Sequence, residues 1–115
     1  MKLRIRGSSI RLRLTKSEVD TLRDGGKVEE TTPLHPSPLV YVIERAEASR
    51  VSVSFQGGRL SVSVPAAVLR DFCETDRVGF EETHDGVRVL VEKDWQCLAP
   101  RDEDESDAFP HPGAH

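Results

Sequence analysis

Aromatic residues make up only 5% of this 115-residue chain: four phenylalanines, one tyrosine and one tryptophan. A surface that reads nucleic acid by stacking bases on rings would have little to work with. The two cysteines, Cys73 and Cys97, are too few for a disulfide framework and read as reduced thiols that fill apolar space. No apolar run approaches the roughly 18 residues of a membrane span. The N-terminus alternates cations with aliphatics where a signal peptide would be continuously apolar. A cytoplasmic protein with no membrane partner is the expectation.

Signatures of chemistry are also sparse. His111 and His115 have i,i+4 spacing, but Pro112 and Gly113 between them oppose a shared helical face, so no metal site is expected. The run Glu103 to Asp107 lacks the spaced oxygen ligands and the glycine of a calcium loop. His35 and His84 fall in loops with no serine or cysteine assignable beside either, and His84-Asp85-Gly86 reads as a hairpin turn. Glu81 and Glu82, adjacent on a strand, point to opposite faces and cannot form an acid/base couple. No catalytic residue and no cofactor is expected, and the chain reads as a non-enzymatic module.

What the chain does contain is a repeat. Leu3, Ile5, Gly7, Ile10, Leu12, Leu14, Val19, Leu22 and Val28 recur 50 positions later as Val53, Phe55, Gly57, Leu60, Val62, Val64, Leu69, Phe72 and Val78. Apolar falls on apolar and glycine on glycine, the mark of an internal duplication. Alternation about Gly7-Ser8 predicts a hairpin, and Thr15-Lys16-Ser17-Glu18 is a capping box opening a short helix that exits at Gly25-Gly26. Two further strands come next, Val28 to Thr32 and Leu39 to Arg45, around a stiff loop with Pro33, Pro36 and Pro38. The second copy repeats this plan, with Pro65 suited to the first helical position. The expected fold is therefore α+β, predominantly antiparallel β and barrel-like, built from two ββαββ repeats with pseudo-twofold symmetry. Residues 1–98 form one duplicated domain, with repeat one at 1–46 and repeat two at 50–94, and 99–115 an acidic, proline-containing tail.

Charge is distributed unevenly. Lys2, Arg4, Arg6, Arg11, Arg13 and Lys16 precede any acid, whereas Asp102, Glu103, Asp104, Glu105 and Asp107 stand against Arg101 alone. Without that segment the remainder balances, 15 cations against 15 acids. Such a tail reads as disordered by composition, with Trp95, Leu98 and Phe109 as candidate apolar anchors.

Certain runs carry resemblances. Gly58-Arg59-Leu60-Ser61-Val62-Ser63-Val64-Pro65-Ala66-Ala67-Val68-Leu69, then Asp76-Arg77-Val78-Gly79-Phe80-Glu81, resembles the AbrB-type swapped-hairpin domain. That resemblance implies two interleaved halves and, often, DNA binding. The opening Met1-Lys2-Leu3-Arg4-Ile5-Arg6-Gly7, with Arg11 to Val19 and the ending Asp104 to Pro110, is similar to a small bacterial family of uncharacterised proteins. That second resemblance implies no activity.

The first hairpin carries the sharpest chemical signal. A turn at Gly7-Ser8 sets Leu3 beside Leu12 and Ile5 beside Ile10 on one face, and Arg4 beside Arg11 and Lys2 beside Arg13 on the other. Opposed like charges destabilise a ladder, so something must compensate. One reading supplies carboxylates from Glu29, Glu30, Glu44, Glu81, Glu82 or Glu92 on neighbouring strands. A second makes Lys2, Arg4, Arg6, Arg11 and Arg13 a site for an anion or nucleic acid. A third docks the acidic tail there. The alternative class is an enzyme acting on a phosphorylated small molecule, the arginines holding phosphate inside a small barrel and Glu44 or Glu92 a cation. Outward arginines would favour a macromolecule, enclosed ones a small ligand. A monomer or weak homodimer is expected.

Overall fold

The computed structural model describes residues 1–95 and Phe109. Its elements run β1 (Lys2–Arg6), β2 (Ser9–Leu14), α1 (Lys16–Gly25), β3 (Lys27–Thr32), β4 (Leu39–Ala46), β5 (Ser52–Gln56), β6 (Arg59–Pro65), α2 (Ala66–Glu74), β7 (Gly79–His84) and β8 (Val87–Lys93). Both helices begin and end for local reasons. Thr15 caps α1, its hydroxyl accepting from the Glu18 amide at 3.3 Å while Glu18 accepts from the Thr15 amide at 2.9 Å. Gly26 ends the helix in the left-handed region, φ 73°, a conformation that costs glycine nothing. Pro65 takes the N-cap of α2 rather than its first helical position, because the preceding strand runs straight into the helix.

Strand order is where the architecture departs from expectation. The strands form two four-stranded sheets, β1-β2-β8-β7 (sheet A) and β3-β4-β6-β5 (sheet B), rather than a closed barrel. Each sheet takes one hairpin from each half of the chain. The four hairpin ladders are antiparallel, and the two that join the halves, β2 with β8 and β4 with β6, are parallel. Side chains, not backbone ladders, bridge the sheets at their edges. Between β5 and β7 the Val51 amide donates to Glu82 at 2.8 Å, the Val53 amide to His84 Nδ1 at 3.1 Å, and the Arg50 guanidinium to the Thr83 carbonyl at 3.2 Å. At the other seam the Met1 ammonium pairs with Glu18 and Glu30, and the Tyr41 hydroxyl donates to Glu30 at 3.1 Å.

One core lies between the inner sheet faces and the helices. Leu12, Leu14, Val89 and Val91 from sheet A meet Ile43, Val62 and Val64 from sheet B, together with Leu22, Leu69 and Phe72 from the helices. Phe72 and Phe80 meet edge to face at 5.3 Å, a geometry that contributes beyond burial alone. Two expectations about this core need correction. Val78, paired by sequence with Val28, is 58% exposed, and Phe80 occupies the buried place instead. The cause is the connection after α2, which runs from Thr75 to Val78, whereas Gly26 alone follows α1. Ile5 and Phe55, one row from their turns, are also exposed, lying past the last layer of core side chains. Among the described residues, no helix is long and apolar enough to cross a membrane.

Candidate functional site

The first hairpin pairs in the register expected, Leu3 with Leu12, Ile5 with Ile10, Lys2 with Arg13 and Arg4 with Arg11. Burial of Leu12 and Ile10 turns the intervening cations to the outer face of sheet A. Carried across the ladders, that face has three rows: Lys2, Arg13, Glu92 and Gly79; Arg4, Arg11, Leu90 and Glu81; Arg6, Ser9, Arg88 and Thr83. It holds six cations against two carboxylates. Sequence reasoning missed Arg88, because nothing in the chain announces that β8 from the second half will lie beside β2 from the first.

Compensation on this face is partial. Glu92 is shared, reaching Arg11 Nε at 3.1 Å and an Arg13 terminal nitrogen at 3.9 Å. Gly79 stands beside it, where a side chain would collide: a Cβ there would lie 2.5 Å from the Val91 carbonyl. Arg88 pairs with Glu81 at 2.6 Å, and the guanidinium holds that carboxyl below its ordinary range. Lys2 meets Asp94 at 3.6 Å. Among the described residues Arg4 and Arg6 enter no ion pair, and Arg4 sits directly opposite Arg11. An open groove of about 420 Å³ runs between Lys2, Leu3, Arg4, Arg11 and Arg13.

The remaining candidates are less suited to a ligand. A second cleft, about 70 Å³, is lined by Arg23, Arg45, Arg70 and Cys73 among others. Its cations are largely paired already, Arg23 with Asp20 and Asp24 and Arg70 with Glu74. Burial pushes the Cys73 thiol up, away from the reactive thiolate. His84 has its Nδ1 engaged as an acceptor in the seam, so the ring carries its proton on Nε2. Glu44 and Glu92, the two candidate cation ligands, lie in different sheets. Among the described residues, no three His, Cys, Asp or Glu side chains are grouped to hold a metal. Of the suggested tail anchors, Trp95 is 58% and Phe109 98% exposed; Leu98, Cys97 and the acidic run 102–107 lie outside the described residues.

No curated protein and no solved structure matches the chain. One family model does, over residues 1–113, and the chain thereby belongs to DUF7009, a family of unknown function.

Proposed function

We propose that this protein is a non-enzymatic binding module of the bacterial cytosol whose ligand is an extended polyanion, held by its phosphates on the outer face of sheet A. The single observation that carries this reading is Arg4 directly opposite Arg11, with Arg6 beyond: Glu92 meets Arg11 at 3.1 Å, while among the described residues Arg4 and Arg6 enter no ion pair. Opposed guanidiniums destabilise a ladder in isolation, and a bound phosphate converts that repulsion into paired, forked hydrogen bonds. The outward direction of these side chains favours a macromolecule over an enclosed metabolite.

The three rows of this face carry no aromatic side chain. Recognition would therefore run through backbone phosphates, with little sequence preference. Exchange of hairpins between the halves supports a pseudo-twofold relation and kinship with the AbrB-type swapped-hairpin domain, where two halves interleave in this manner. Only one of the two related faces is basic, so a one-sided, non-palindromic contact is expected.

The test is fluorescence anisotropy with labelled single- and double-stranded oligonucleotides across a salt series. Binding should weaken steeply as salt rises, and replacing Arg4 and Arg11 by Ser should lower the logarithmic salt slope by about 2. Absent or salt-insensitive binding would remove the reading.

A further inference from the structure

The chain leaves β8 on the basic side of the molecule. Immediately after that strand, the Asp94 amide donates to the Leu14 carbonyl at 2.8 Å, and the Asp94 carboxylate meets Lys2 at 3.6 Å. The polypeptide thus exits across the end of β2 and engages the first row of the basic face with its first acidic side chain. Further along the sequence come Asp102, Glu103, Asp104, Glu105 and Asp107, five acids within six residues. Ahead of them on β1 and β2 stand Arg4, Arg6, Arg11 and Arg13, with Glu92 shared between the last two.

We propose that the acidic segment Asp102 to Asp107 of this same chain lies across the arginine rows of β1 and β2. Reach permits it with slack. Asp102 comes eight residues after Asp94, an extended span of about 27 Å, whereas the strand from Lys2 to Arg6 is about 14 Å long. Spacing permits it too, since successive cations on one strand face recur every second residue. The segment compensates Arg4, which stands opposite Arg11 and, unlike it, enters no ion pair among the described residues.

A consequence for binding rests on the reading proposed above: the tethered segment competes with any external polyanion. A short tether holds its segment at an effective concentration of about 1 mM, so an intrinsic Kd of about 0.1 mM would weaken a competitor about tenfold.

The experiment compares the full chain with a variant carrying Asp102→Asn, Glu103→Gln, Asp104→Asn, Glu105→Gln and Asp107→Asn, substitutions that leave the core untouched. NMR of the guanidinium Nε–H groups reads the contact directly, and oligonucleotide anisotropy reads the competition. At low salt the Arg4, Arg6, Arg11 and Arg13 signals should differ between the two chains, converge at about 0.5 M salt, and be independent of protein concentration. The variant should bind the oligonucleotide about tenfold more tightly. Identical guanidinium signals at low salt would overturn the proposal. Differences that grow with protein concentration would also overturn it, assigning the face to the tail of a second copy. Concentration-independent differences with no oligonucleotide binding by either chain would uphold the docked tail while removing the external polyanion.

Discussion

The two sheets share one strand plan and their outer faces differ most in one hairpin, β1–β2 against β5–β6. Laid over the outer rows of sheet A, those of sheet B read Ser52, Ser63, Glu44 and Lys27; Ser54, Ser61, Val42 and Glu29; Gln56, Arg59, Val40 and Thr31. The acids correspond, Glu92 with Glu44 and Glu81 with Glu29. The threonines Thr83 and Thr31 correspond as well. Lys2, Arg4, Arg11 and Arg13 stand where the other sheet has Ser52, Ser54, Ser61 and Ser63. Sheet B therefore holds two cations against two carboxylates, Arg59 meeting Glu29 at 2.6 Å, while sheet A carries a surplus of cations. A shared backbone plan with divergent outer faces separates what folding requires from what the surface is free to vary.

If the inner faces are equivalent, a cavity in either sheet should damage the whole molecule. Leu12→Ala in sheet A and Ile43→Ala in sheet B, both sites fully buried, should each cost about 2–5 kcal/mol. Each should still unfold in a single transition, because every sheet contains a hairpin from both halves. Two resolved transitions in calorimetry would break the comparison.

The outer faces should be transferable. Ser54→Arg with Ser61→Arg recreates the opposed pair on sheet B, at a cost of about 0.2–1 kcal/mol in chemical denaturation. The double variant should gain salt-dependent oligonucleotide binding; unchanged affinity would show that an arginine pair alone does not make the site.

Glu92→Gln sharpens the same point from the opposite side. Releasing Arg11 and Arg13 should strengthen polyanion binding and lower stability by less than about 1 kcal/mol, as expected for half-exposed ion pairs. Weaker binding would mean that Glu92 positions these arginines for the ligand.

The smallest effect concerns the seams. Burial alone would raise the Glu18 carboxyl, but hydrogen bonds from the Met1 ammonium and from Thr15 outweigh it and hold the group below its ordinary value. A carboxyl depressed in the folded state contributes stability that is present above its unfolded value and is lost as pH falls through the folded one. The stability difference between wild type and Glu18→Gln should therefore shrink between about pH 6 and about pH 3, by a few tenths of a kcal/mol. Glutamine keeps the helix cap, which isolates the ion pair. The β5–β7 seam has Val68 at the equivalent helix position. A pH-independent difference would show that Glu18 acts only through the cap.

Much of the local structure was legible because its causes are local. Alternation and the glycine turns placed the hairpins, and burial of Leu12 and Leu14 fixed which side the arginines take, since a one-residue slip would invert every side chain. The capping box at Thr15 to Glu18 did the same for α1. Legibility failed wherever a decision depended on something distant in the chain. Val78 matches Val28 in sequence, yet the longer connection after α2 hands its place to Phe80. Arg88 belongs to the basic face only because β8 crosses to β2, and Ile5 is apolar in pattern but lies beyond the core layer.

The sequence by itself determined the hairpin turns, the start of α1 and the concentration of cations on one hairpin, since periodicity, turn chemistry and charge all act over a few residues. Only the tertiary structure decided that each sheet joins hairpins from opposite halves, that side chains such as Glu82 and His84 bridge the edges, and that Glu92 of the second half is shared between Arg11 and Arg13 of the first. Those outcomes depend on packing both halves around one core, and a buried core can be satisfied by partners that no local pattern names.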